Sequence, residues 1–274
     1  MTIPIVLAAF GTTSRAKDTY ALVEVQVKNR FPLAPLRWAV TSRKVKAAAA
    51  AAEAAEGAPR AGGHRLQQSP GEVLEELHAA GHRWAVVQSL HVVGGHEFDR
   101  LIAEIRQAPI RTSVGLPLLT SYGDYWKVAQ ALRPLIGAAP CDEAVVLVGH
   151  GTDHPAWAAY LALEAICRQR FGPQVFVGLI EGKPGRTATV HAVRKAGYRQ
   201  ARLVPFTLVA GVHFEEDIMG EGGWASAFAD AGIDIRVESS GLGRNGRIID
   251  VFLDHIADAA DVIPDDGDRS CKAV

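Results

Sequence analysis

The sequence predicts an α/β protein of two similar lobes, each a parallel sheet flanked by helices, with a central cleft between them. Three observations carry this reading. Short apolar runs alternate with amphipathic helical stretches along the whole chain, the pattern of buried parallel strands joined by helical crossovers. The motif order of the first half recurs in the second. Glycine–histidine turns close strand candidates in both halves, at the carboxyl ends where open α/β sheets bind ligands.

The strand candidates are Ile3–Ala9, Leu36–Val40, Trp84–Leu90, Arg111–Leu116, Ala144–Val148, Val175–Ile180, Gln200–Pro205 and Asp234–Val237. Helical periodicity marks Asp18–Arg30, Glu72–Ala80, Glu97–Gln107 and Tyr125–Ile136 in the first half. In the second it marks Ala156–Arg170, Thr187–Ala196, Trp224–Ala229 and Gly246–Ala260.

The duplication is visible block by block. VLAAFGTT is matched by VVLVGHGT, a helix ending in NRF by one ending in RQRF, and AAGHRWA by KAGYRQA. LHVVGGHEFDRL then answers TLVAGVHFEEDI. Equivalent positions lie 140 residues apart at the start (Phe10 and His150) and 117 apart at the end (His96 and His213). The first copy therefore holds about 23 additional residues, placed in the Ala/Gly-rich stretch from Ala47 to Ser69. The lobes divide as residues 1–137 and 138–274, with a hinge near Gly137–Cys141, leaving the last helix able to pack back on the N-terminal lobe.

Composition narrows the function. The 29 basic and 30 acidic residues nearly cancel, so neither nucleic acid nor a membrane surface is expected as partner. An anionic substrate must be held by local cations. Three widely spaced cysteines, Cys141, Cys167 and Cys271, form no CxxC pair, which argues against a zinc site or a disulfide framework. The apolar N-terminal run stops at Gly11 with no basic segment before it, so it reads as a first strand. No uninterrupted run of 18 apolar residues occurs, and a cytoplasmic protein is the default.

His150 ends the strand AVVLVGH between Gly149 and Gly151. Its residue type and place suit either a ligand or a histidine satisfied by its loop. Asp153 is placed to cap the next helix, with Pro155 in its first turn. His213 closes a second strand-end loop, GVHFEEDI. Two imidazoles with a carboxylate make a reasonable ligand set for a first-row divalent metal, and a neutral imidazole can alternatively accept a proton. His91 reads as a strand-end residue, facing the cleft or buried with a hydrogen bond. His154 stands behind the ligands, while His64, His78, His82, His191 and His255 read as loop or helix-surface residues. Arg15, Lys17, Arg43, Lys44, Lys183 and Arg244 lie beside the proposed cleft loops and could bind carboxylates. Two nucleotide motifs fail on context. GxGxxG at Gly241–Gly246 lacks a following strand, and GLIEGKPG has glycines one residue too close and Pro184 for the Ser/Thr.

Several blocks together resemble the anaerobic sirohydrochlorin cobaltochelatases of the class II chelatase superfamily. They are FGT (Phe10–Thr12), TSR (Thr41–Arg43), QSLHVVGGHEF (Gln88–Phe98), GHGTDHPAWAAY (Gly149–Tyr160), LVAGVHFEEDI (Leu208–Ile218) and SGLG (Ser240–Gly243). The resemblance runs almost end to end. It implies ATP-independent insertion of Co²⁺ into sirohydrochlorin for cobalamin synthesis, with Co²⁺ as substrate metal, no nucleotide, and a homo-oligomer. Fe²⁺ insertion toward sirohaem and a non-catalytic tetrapyrrole or metal carrier are the alternatives. It places the metal and catalytic residues at His150, His213 and Glu97. Substrate contacts fall on Phe10, Thr12, Ser14, Arg15, Ser42 and Arg43, and on His91, His96 and His154. At His96 the family loop is acidic. His96 is therefore left between three roles: metal ligand, ligand for another group, or none.

Overall fold

The computed structural model describes residues 2–11, 18–42, 45–47, 68–137, 140, 142–211 and 214–264. The long Ala/Gly-rich insertion and most of the expected hinge lie outside them. The first lobe contains β1 (Ile5–Ala9), α1 (Asp18–Arg30), β2 (Leu36–Val40), α2 (Pro70–Ala79), β3 (Trp84–Ser89), α3 (His96–Ile105), β4 (Arg111–Gly115) and α4 (Tyr122–Gly137). The second contains β5 (Glu143–Gly151), α5 (Ala158–Phe171), β6 (Val175–Glu181), α6 (Arg186–Lys195), β7 (Gln200–Phe206), α7 (Trp224–Asp230), β8 (Asp234–Val237) and α8 (Gly246–Asp261). Among the described residues, no helix is long and apolar enough to cross a membrane.

The two sheets have the same order, β2-β1-β3-β4 and β6-β5-β7-β8, and every described strand pair is parallel. Period-two alternation divides each strand between two cores. Ile5, Leu7, Val145 and Leu147 point into a central core shared by both lobes. Val6, Ala8 and Val87 face an outer core under α2 and α3. Ala144, Val146 and Val148 face the opposite outer core under α6 and α7. The central core also takes in α1, α4, α5 and α8, which lie between the two sheets, so the inner faces of both lobes share one apolar interior.

Element ends differ from the sequence reading for local reasons. β1 starts at Ile5 because Pro4 has no N–H for the ladder, although its carbonyl still accepts from Val86 N at 2.9 Å. α2 begins two residues early, at a capping box: the Ser69 hydroxyl accepts from Glu72 N while the Glu72 carboxylate accepts from Ser69 N. The same exchange between Ser121 and Asp124 starts α4. The expected helix Ala156–Arg170 splits into a 3₁₀ turn, Pro155–Trp157, followed by α5. Its cap is His154, whose Nδ1 accepts from Ala156 N at 3.1 Å, and not Asp153.

The last helix ties the lobes together. α8 follows β8 in sequence but packs on β3, β4, α1 and α4. It puts Ile248, Ile249, Phe252 and Ile256 into the central core, each burial worth about 1.5–3 kcal/mol. His255, expected on a helix surface, is buried on this face instead. Its Nδ1 donates to the Leu116 carbonyl at 2.9 Å, and its Nε2 lies 3.2 Å from an Asp124 carboxylate oxygen. Burial alone would raise the Asp124 carboxyl. The Ser121 amide and hydroxyl and the His255 ring outweigh it, holding the group below its ordinary value.

His255→Leu leaves Asp124 buried without this partner, so urea unfolding at neutral pH should show a loss of about 3 kcal/mol. A depressed folded-state carboxyl contributes stability above its unfolded value and loses it as pH falls through the folded one. The acid limb of the stability curve should therefore be shallower in the variant. An unchanged midpoint would show that the pair contributes nothing.

Candidate functional site

In each sheet the chain steps from the first strand to one side and then to the other. The crevice at this switch lies beyond the carboxyl ends of the two central strands. In the first lobe those ends carry Phe10 and the Leu90–His91 segment. In the second they carry His150 and Thr207. β5 runs to Gly151, beyond the expected end at Val148, which makes His150 the penultimate residue of a central strand.

Glycine builds this strand end. Gly151 has φ +85°, and a Cβ there would sit 1.8 Å from the Glu181 carbonyl oxygen. A side chain at Gly149 would meet the Tyr160 ring at 2.6 Å. Tyr160 is buried and takes a backbone hydrogen bond from Gly151; burial pushes its hydroxyl up to about 12. The first lobe repeats the device, with Tyr20 buried, bonded to Gly11 and raised by burial in the same way. His150 is half-buried, and its Nδ1 lies 3.2 Å from the Gly151 carbonyl oxygen.

Glu97 sits in the first turn of α3. One of its carboxylate oxygens pairs with Arg100. The other, Oε2, is buried without a hydrogen-bond partner among the described residues. A buried carboxylate oxygen left unpaired is costly, and a cation or a proton at this position would satisfy it.

The loops flanking these two residues meet across the lobes. His96 Nε2 hydrogen bonds with Asp153 Oδ1 at 2.8 Å, and that ring holds the Asp153 carboxyl below its ordinary value. This bond draws Asp153 away from the helix-capping role. His154 accepts a backbone hydrogen on Nδ1, so its own hydrogen is on Nε2, which faces Asp99 at 3.3 Å. The two rings meet edge to face, 5.0 Å between centroids. Each lobe thus gives one histidine and one aspartate to a reciprocal contact, and His96 has a partner that the sequence did not reveal.

The remaining expected residues separate by environment. Phe10 is 44% exposed at its strand end, an apolar surface beside the crevice. Ser42 is buried, its hydroxyl accepting from Val45 N. Both nitrogens of His91 are engaged, Nδ1 with Ser89 Oγ at 2.9 Å and Nε2 with Thr41 Oγ1 at 3.2 Å. Burial pushes its ring down to about 4. Thr12, Ser14, Arg15, Arg43 and His213 lie outside the described residues. On either side of His213, Phe214 N donates to the Gly211 carbonyl, and a π-helical turn, Phe214–Ile218, follows. Such turns occur often at functional sites.

Glu181 was passed over in the sequence. The register pairs it with Gly151, so this carboxylate ends the strand next to His150. Its signal was the matching strand end in VGLIEG, legible only once β6 is known to adjoin β5. No three metal-ligating side chains form a preformed cluster among the described residues. A cavity of about 790 Å³ opens beside the β5 and β6 ends, walled by Trp157, Ile180, Lys183 and Arg186 among others.

The family model for cobalt chelatase (CbiK) matches residues 4–261. The chain belongs to this family. The sirohydrochlorin cobaltochelatase CbiKC of Nitratidesulfovibrio vulgaris is 32% identical over 271 residues, covering 95% of this chain and 92% of that protein. The sirohydrochlorin cobaltochelatase of Salmonella typhimurium is 35% identical over 197 residues, 70% of this chain and 74% of that one. In fold, the cobalt chelatase chain is similar to SirB from Bacillus subtilis with Fe³⁺, at a TM-score of 0.65 and 14% identity, covering 95% of this chain and 96% of that one. CbiX, the terminal enzyme of sirohaem biosynthesis in denitrifying bacteria, gives a TM-score of 0.54 at 17% identity, covering 93% and 99%.

Because burial holds His91 neutral, its ring signals in NMR should stay fixed between about pH 8 and pH 5, where an ordinary imidazole titrates. A histidine depressed on folding destabilises the fold as pH drops below its unfolded value. Titration of His91 near the ordinary imidazole value would show that the ring is open to water and free to face a substrate.

Proposed function

We propose that this chain is a sirohydrochlorin cobaltochelatase, inserting Co²⁺ without a nucleotide and releasing two protons. The reading is supported by the CbiK family match, together with His150 on a central strand end and a buried Glu97 oxygen without a hydrogen-bond partner among the described residues. His150, His213 and Glu97 are the residues we assign to the incoming metal. Frequent oligomerisation and a cytoplasmic location accompany the reading as further expectations.

The chemistry follows from the side chains. Insertion exchanges two pyrrole N–H protons for one divalent cation, so the site must hold a cation and accept protons near neutral pH. Imidazole does both. Water leaving Co²⁺ is replaced by the imidazoles of His150 and His213, and the macrocycle nitrogens then displace these. Glu97 balances the ion's charge and carries protons outward. Contacts to the remote edges of the substrate supply the distortion that turns the ring nitrogens toward the metal.

Steady-state insertion with sirohydrochlorin and Co²⁺, Fe²⁺ or Ni²⁺ in turn tests the reading. Multiple turnovers, fastest with Co²⁺, are expected; a single stoichiometric uptake would make the protein a carrier, and preference for Fe²⁺ would move it to sirohaem synthesis. His150→Ala and His213→Ala should each lower kcat by about 100-fold or more. The double variant should be little worse, because the two act as a unit. Glu97→Gln should fold normally and lose most activity, while His96→Ala should be milder. Near-normal turnover by folded His213→Ala would defeat the assignment.

A further inference from the structure

The cavity beside the β5 and β6 ends lies between the Pro155–Trp157 turn and the turn from β6 to α6. One wall includes Ile180, which lies opposite His150 between the Gly149–Leu179 and Gly151–Glu181 pairs. The cavity thus shares Ile180 with the strand that runs beside the proposed metal ligand. Its volume of about 790 Å³ falls within the range of about 300–1,000 Å³ typical of small-molecule sites.

Its lining has two kinds of surface. Trp157 and Leu161, each 40% exposed, present apolar area that the fold leaves uncovered. Lys183 and Arg186 bring two cations against one carboxylate, Asp217. The cations are not equivalent. Arg186 donates to the Gly222 carbonyl, so its side chain is committed to holding the wall. Lys183 has no carboxylate within ion-pair distance among the described residues. Its backbone is held, because Leu179 N donates to the Pro184 carbonyl at 2.8 Å and Leu179 bridges Gly185. A held turn thus puts a lysine with no carboxylate at ion-pair distance among the described residues in the same cavity wall as the part-exposed Trp157. This combination suits a flat apolar ring with an anionic rim.

We propose that this cavity is the subsite for one carboxylate-bearing edge of the tetrapyrrole, with Lys183 selecting for the carboxylate and Trp157 lying against the ring. The proposal rests on the functional reading above and adds the residues that recognise the substrate's edge. Lys183 is a specificity residue. It binds a group remote from the reacting nitrogens, so it sets substrate affinity and is one of the edge contacts that turn the ring toward the metal.

The test is binding without metal, followed by tryptophan quenching and by the tetrapyrrole absorbance, using sirohydrochlorin and its esterified form. Lys183→Ala should weaken binding of the free acid about tenfold, the loss of one charge-assisted hydrogen bond. The esterified form should bind the original chain and Lys183→Ala equally, giving a non-additive cycle. In turnover the variant should lower kcat/KM for the free acid by about tenfold or more. Trp157→Phe should reduce the quenching amplitude. Lys195→Ala, the same charge change at the far end of α6, should leave the affinity unaltered. An undiminished preference of Lys183→Ala for the acid over the ester overturns the subsite alone. Failure of the unsubstituted chain to bind sirohydrochlorin overturns the subsite and the functional reading together.

Discussion

The turn at Gly151 is the constraint on which the rest of the site depends. The Glu181 carbonyl occupies the space of a Cβ at this position, so β5 and β6 can end side by side only if this residue is glycine with positive φ. From that contact follow the place of His150 opposite Ile180, the approach of Glu181, and the direction of Thr152–His154 toward α3. The Tyr160 hydroxyl bonds to the same glycine from within the core. A backbone detail of the second lobe thus determines which side chains reach the first.

The duplicated scaffold carries unequal chemistry. Gly11 and Gly151 each lie nine residues before a buried tyrosine that bonds back to them, so the strand-end geometry is common to both halves. At the equivalent positions one half has Phe10 and the other His150. An apolar side chain thus faces the crevice from one lobe and a basic one from the other. The same backbone offers different chemistry from the two lobes without altering the fold beneath.

The inner strands β1, β3 and β5 were legible in the sequence because they are buried on two faces, and such apolar runs have few other readings. The starts of α2 and α4 were also written locally, as Ser69 with Glu72 and Ser121 with Asp124, yet the apolar periodicity alone placed them two or three residues late. Partners distant in sequence were not legible. His96 meets Asp153 across 57 residues and His255 meets the Leu116 carbonyl across 139; neither histidine's neighbours hint at the contact. His255 was misplaced because a helix that covers a foreign sheet is buried on a wider arc than its own lobe would require. Position and type pointed to His150 and the family resemblance to Glu97, but the Glu97 oxygen without a partner among the described residues required the folded chain.

The crossing of α8 has a consequence for how the protein is made. The sheet of the first lobe is complete once β4 leaves the ribosome. α1 and α4 cover part of its inner face, but the helix that packs on β3 and β4 begins more than 130 residues further on, so that part is covered last. The two halves share an architecture, but the first borrows the last helix of the second for part of its cover.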